Sequence, residues 1–149
     1  MWNVPEPELT LFVSSAGTIE AYTIGNDMSS RSIEGENPLY LPQAKIFDGS
    51  AALGPCLLIP EKPLGPETKI SMSIQRSGTE VFAGQAELRQ MKRGLDELAG
   101  WLTRELSFPH GVLLMTGTCV VPGDDFTLQS DDVIRMSIER IGSLENTVA

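Results

Sequence analysis

The chain has 149 residues, the size of a single domain. Apolar residues make up 41% and charged residues 21%, a balance that supports a buried core and argues against disorder. Asp and Glu outnumber Lys and Arg by 20 to 11, and the net charge of −9 excludes nucleic acid and an anionic membrane surface as partners, since both need clustered cations.

The first eight residues, Met1 to Glu8, lack the basic and apolar regions of a signal peptide. No apolar run approaches the ~18–20 residues that span a bilayer. Residues 9–14 read as a short strand, 15–17 as a turn, and 18–28, rich in β-branched and aromatic residues, as a second strand. Residues 29–50 are polar and aperiodic, with Pro38 and Pro42, and read as a long functional loop. Apolar character returns at 51–59. Ile70, Met72 and Ile74 alternate with Ser71, Ser73 and Gln75, so Lys69–Arg76 and 80–84 form a hairpin around Ser77-Gly78.

Leu88, Met91, Leu95, Leu98, Leu102 and Leu106 recur at steps of three and four, which predicts one helix over about 87–106. Residues 112–116 predict a buried strand, and 132–139 predict another by alternation. Cys56 and Cys119 are too few for a disulfide scaffold or a Cys-rich zinc site. They read as buried free thiols of a cytoplasmic protein. The sum is a single, mainly β (α+β) domain over 1–149 with one main helix.

Chemistry concentrates in the first 50 residues. Pro5 and Pro7 favour an extended backbone around Glu6 and Glu8. Extended residues two apart share a face, with Cα atoms ~6.5–7 Å apart. Two carboxylates so placed repel unless a proton or cation lies between them. Asp27 closes the second predicted strand, and an antiparallel pairing brings it back beside Glu6 and Glu8. Three carboxylates suit a hard divalent cation. Lys45 follows, and a lysine at the rim of such a site can hold an anion or move a proton.

Several separated runs carry a resemblance. They are Glu6-Pro7-Glu8, Gly25-Asn26-Asp27-Met28-Ser29-Ser30-Arg31, the stretch from Ile33 to Lys45, Met115-Thr116-Gly117-Thr118, residues 121–128 and residues 141–146. Together they resemble the fumarylacetoacetate hydrolase family. The stretch Glu34 to Lys45 is most similar to the branch acting on 2-keto-3-deoxy sugar acids. The resemblance implies a mixed β-sandwich or roll, commonly homodimeric. It also implies a metal-dependent enzyme that hydrolyses, decarboxylates or dehydrates a 2-keto acid. Glu6, Glu8 and Asp27 match the positions that bind Mg²⁺ or Mn²⁺, and Lys45 the catalytic lysine beside the metal. Arg31, Glu34 and Thr118 match substrate-binding positions, with a lid at about 29–44.

The family's core begins well upstream of Glu-x-Glu, often with a histidine and glutamate as an acid–base pair. The single histidine here, His110, matches no such position and reads as a loop residue. The chain is therefore expected to be the C-terminal part of the family's catalytic domain, with apolar faces covered by oligomerisation. Two readings stand. One is a metal-dependent lyase or hydrolase acting on a 2-keto-3-deoxy sugar acid or an acylpyruvate through an enolate. The other is a truncated, non-catalytic domain that binds metal and keto acid or serves as a subunit.

Overall fold

Alternation of Leu9, Leu11 and Val13 with Thr10 and Phe12 gives the first long strand an apolar face for a core. The computed structural model describes residues 1–149. Its elements run β1 (Asn3–Val4), β2 (Pro7–Val13), β3 (Ile19–Asp27), β4 (Ser29–Ser30), α1 (Arg31–Glu36), α2 (Leu41–Lys45) and β5 (Ala51–Leu58). They continue with β6 (Lys69–Arg76), β7 (Thr79–Glu87), α3 (Leu95–Thr103), β8 (Val112–Met115), β9 (Val133–Ile138) and β10 (Gly142–Thr147).

Two four-stranded sheets, ordered β5-β3-β2-β8 and β10-β9-β6-β7, face each other, and β1 pairs with β4 alongside. Every pairing is antiparallel. Leu9, Leu11, Val13, Tyr22 and Ile24 from one sheet meet Ile70, Met72, Ile74, Ile134, Met136 and Ile138 from the other. Each such side chain contributes ~1.5–3 kcal/mol by leaving water. This is the mainly β sandwich that the sequence predicts. No helix is long and apolar enough to cross a membrane.

The 9–14 and 18–28 strands form as expected, with Pro7 opposite Asn26 and Glu8 opposite Gly25. The β6–β7 hairpin also forms. Ser77 and Gly78 both take positive φ, 51° and 79°, the backbone a tight two-residue hairpin turn requires.

Several expectations are corrected. The stretch 29–50 is not a plain loop: it holds α1, a 3₁₀ turn at Pro38–Tyr40, and α2. Pro38 and Pro42 sit where helical turns begin and no backbone donor is needed. Asn37 caps the 3₁₀ turn by accepting from the Leu39 N–H at 3.0 Å. These turns bury almost nothing beyond Ala44, so no apolar stripe announces them.

The helix expected over 87–106 is shorter. β7 runs through Glu87, and a 3₁₀ turn at Leu88–Gln90 is closed by reciprocal bonds between Glu87 and Gln90. The helix proper then starts after Gly94. Leu88 and Met91 pack against the same core as Leu95 from outside the helix, which is why the spacing mimics one continuous element.

β8 is a half-exposed edge strand rather than a buried one. β10, too polar to read as a strand, gains order by pairing with β9. Cys56 and Cys119 are free but exposed, one on the edge strand β5 and one in the loop after β8.

A polar clamp ties the β6 end to the β9 start. Arg76 donates from Nε to Asp132 Oδ1 at 2.8 Å and from Nη2 to Oδ2 at 2.7 Å. The Gln129 N–H adds a bond of 2.9 Å to the fully buried carboxylate. Hydrogen bonding from Arg76 holds the Asp132 carboxyl below its usual range. The contribution is therefore complete above the unfolded value of ~4 and is lost as pH falls through the folded one. Asp132→Asn should cost about 2–4 kcal/mol at pH 7 by urea unfolding, with the deficit shrinking towards pH 2. An unchanged midpoint would show that the clamp is inert.

Candidate metal centre

Three carboxylates arrive from two neighbouring strands and the link that leads into the first. Glu6 lies in the extended link between β1 and β2, Glu8 at the second position of β2, and Asp27 at the end of β3. The Asp27 N–H donates to the Glu6 carbonyl at 3.0 Å, which locks the two backbones together. One oxygen from each carboxylate lies within 4.8 Å of the others. Glu6 and Glu8 are only 5% and 4% exposed.

The helical segment supplies the cations. Lys45, the last residue of α2, donates from Nζ to Glu6 Oε2 at 2.8 Å, Asp27 Oδ2 at 2.8 Å and Ser29 Oγ at 2.7 Å. Arg31, the first residue of α1, donates from Nη2 to Glu6 Oε1. Its guanidinium lies 5.8 Å from the ring centre of Trp2, whose backbone N–H donates to Ser32 Oγ at 2.6 Å. The N-terminal segment thus pins α1 over the carboxylates. Glu8 has no cation in contact; its Oε2 accepts the Gly117 N–H at 2.6 Å.

The electrostatics follow from this unequal pairing. Burial pushes the Glu8 carboxyl up to about 7, and the charges of Asp27 and Glu6 push the same way. The Gly117 N–H and Lys45 offset part of that rise. Burial pulls the Lys45 ammonium down, but bonds to Asp27 and Glu6 outweigh it and leave it above its ordinary value.

The donor set suits a hard divalent cation. All three ligands are carboxylates, with no thiolate or imidazole to favour a softer metal. One oxygen from each of Glu6, Glu8 and Asp27 would hold the ion, their mutual separations of at most 4.8 Å being close enough for side-chain adjustment to bring them onto it. Glu8, driven towards its neutral form by burial with no cation in contact, is the carboxylate such an ion would relieve.

The structure thus brings together Glu6, Glu8, Asp27, Lys45 and Arg31. Glu34 sits one step out, with Oε2 3.5 Å from Arg31 Nε and no direct contact to the carboxylates. Thr118 stands in the loop next to Gly117, where its hydroxyl accepts the Val120 N–H at 3.3 Å. It lines a recess with Thr116 and Cys119. His110 occupies an exposed turn beside an apolar groove formed with Phe12, Leu57 and Leu113, a groove that includes none of the carboxylates. Sequence reasoning missed Ser29, the Gly117 N–H and Trp2 as parts of the site. Backbone donors and a distant ring leave no pattern to read.

The family description for the C-terminal part of fumarylacetoacetate hydrolase matches residues 13–149. The chain belongs to the fumarylacetoacetate hydrolase family. Similar relatives include a probable 2-keto-3-deoxyxylonate dehydratase of Haloferax volcanii, 47% identical over 99% of this chain and 51% of that protein. The 2-dehydro-3-deoxy-D-arabinonate dehydratase of Saccharolobus solfataricus is 40% identical over 96% of this chain and 48% of that protein.

Among solved structures, a 2-keto-3-deoxy-D-arabinonate dehydratase complexed with magnesium and 2,5-dioxopentanoate superposes with a TM-score of 0.94. It is 40% identical over 99% of this chain and 53% of that one. The chain spans about half the length of the curated relatives it matches.

Proposed function

We propose that this chain carries the catalytic centre of a Mg²⁺-dependent (or Mn²⁺-dependent) dehydratase acting on a 2-keto-3-deoxy sugar acid. The observation that carries the reading is the convergence of Glu6, Glu8 and Asp27 under two cationic side chains. The sugar-acid dehydratases named above support the reaction class.

Glu6, Glu8 and Asp27 would hold the ion. When bound, it supplies Lewis-acid polarisation of the 2-keto and carboxylate oxygens, which eases loss of the C3 proton. In the elimination the C3–H and C4–O bonds break, the C3=C4 bond forms, and water leaves. Lys45 Nζ is placed to carry the proton: as amine it takes it from C3, and as ammonium it hands it to the departing hydroxyl. Its bonds to Glu6 and Asp27 must loosen for the first half of that transfer. Arg31 and Thr118 bind the anionic substrate, Glu34 orients Arg31, and the helical segment from Arg31 to Lys45 keeps water off the reacting carbons.

We place the protein in the cytoplasm as a homodimer. Leu39, Leu41, Ile46 and Phe47 lie exposed beside the site, an apolar strip that a second subunit would cover.

The reading is tested by calorimetric titration of metal-stripped protein with Mg²⁺ and then oxalate, followed by turnover of a 2-keto-3-deoxypentonate. Oxalate should bind only with the metal present, and water should be lost from the sugar acid. Binding without turnover would favour the second reading, a keto-acid-binding domain. Absence of both would remove the metal assignment.

A further inference from the structure

We infer that Asn26 and Asn146 are a positioning pair for the metal centre: the bond between their side-chain amides fixes β3 so that Asp27 faces Glu6 and Glu8. Neither residue is a ligand, and both act through Asp27. The inference rests on reading Glu6, Glu8 and Asp27 as the ligands of a divalent cation.

Asn26 precedes Asp27 and lies directly opposite Pro7, the residue between Glu6 and Glu8. Side chains alternate along a strand. Asn26 therefore points between the sheets, as the core residue Ile24 does, and Asp27 points the other way, into the carboxylate cluster. The Asn26 side chain is buried, with the residue 1% exposed. Its Nδ2 donates to Asn146 Oδ1 at 3.1 Å, and its own Oδ1 has no partner. This is the one hydrogen bond between side chains that crosses from one four-stranded sheet to the other.

Packing alone does not hold Asn26 in place. A cavity of about 370 Å³ opens beside the pair, bounded by Met28, Phe47, Ala52 and Ile134, so apolar contact around the amide is incomplete. Nor is β3 held by an unbroken ladder, because its register against β5 shifts between Tyr22 and Ile24. A slip of one residue would turn Asp27 to the opposite face and away from Glu6 and Glu8. A buried amide with a single partner opposes that slip, since the slip would strip it of its one bond. A lone buried Asn fixes register in this way at some cost in stability. Asn146 is a firm anchor. It stands opposite Ile134 on β9. Two residues on, the Val148 N–H donates to the Asp132 carbonyl and the Val148 carbonyl accepts from the Asp131 N–H, both at 2.9 Å.

The test titrates Mg²⁺ calorimetrically into metal-stripped wild-type protein and three variants, in about 0.3 M KCl to screen added charge. Asn146→Leu removes the acceptor, and Asn146→Asp keeps one. Leu144→Ala removes core packing from the same strand and leaves the amide pair alone. Asn146→Leu should bind Mg²⁺ about tenfold more weakly, the low end of the cost of losing an outer-shell partner. Asn146→Asp should retain the wild-type affinity. Leu144→Ala should retain it too, although it unfolds at lower urea, which separates positioning from stability. Wild-type affinity in Asn146→Leu overturns the inference. So does an equal loss in Asn146→Asp or in Leu144→Ala. Asn146→Ala, which adds no bulk, gives the same reading if the Leu variant does not fold. If the wild-type protein itself takes up no Mg²⁺, the metal reading of the carboxylate cluster has failed and the positioning role falls with it.

Discussion

Glu8→Gln should lose Mg²⁺ affinity by more than the ~10–100-fold that follows loss of a mere outer-shell partner, and should make the metal-free fold more stable at neutral pH. Both effects come from one buried acid. Its folded value, about 7 against an ordinary 4.5, means that the native state holds a proton which the unfolded chain has released across that window. Stability of the metal-free protein therefore falls as pH rises from about 4.5 to 7 and stays depressed above it. The fall corresponds to roughly 3 kcal/mol. Gln removes the titrating group and hence this slope.

Mg²⁺ at about 100 times its Kd should return ~2.7 kcal/mol to the wild-type protein at pH 8. It should return much less at pH 5, where the proton competes for the ligand. Urea unfolding at pH 5 and pH 8, with chelator and with Mg²⁺, reads all four values. A wild-type pH slope identical to that of the Gln variant would remove Glu8 from the linkage. An undiminished response to Mg²⁺ in the variant would remove it from the ligand set.

How much of this centre is legible from sequence depends on which force places each residue. Glu6, Glu8 and Asp27 are readable because a hairpin fixes its own geometry. Once β2 and β3 pair across a short turn, the end of one strand must return to the start of the other. The core strands are readable for the same reason: alternation at Leu9, Leu11 and Val13 or at Ile70, Met72 and Ile74 responds to burial on one face.

The segment that carries Arg31 and Lys45 responds to something else. Its turns are set by Pro38, Pro42 and the Asn37 cap, and are held down by charge contacts with Glu6 and Asp27. Periodicity is blind to a helix without a buried stripe. The opposite error arises at Leu88 and Met91, where two elements of different type bury into one core and mimic a single helix. Exposure of Cys56 is unreadable because an apolar segment on a sheet edge does not show which of its faces is covered.

Replacing Lys45 separates its charge from its proton. Lys45→Met should lower turnover by about 10²–10⁴-fold, the usual size of a general acid–base contribution, without weakening Mg²⁺ binding. Affinity for the ion should instead rise, because the ammonium that bonds to Glu6 and Asp27 is a competing cation for those oxygens. Lys45→Arg is the sharper variant. Guanidinium keeps the positive charge beside both carboxylates but does not give up its proton near neutral pH. If Lys45 acted by charge alone, the Arg variant would sustain most of the activity, whereas a proton carrier would leave the Arg variant as slow as the Met one. Rates measured at saturating Mg²⁺, with titration of the ion into both proteins, decide between these roles. Restoration of activity by Arg would move proton transfer to another group and reduce Lys45 to a counter-charge.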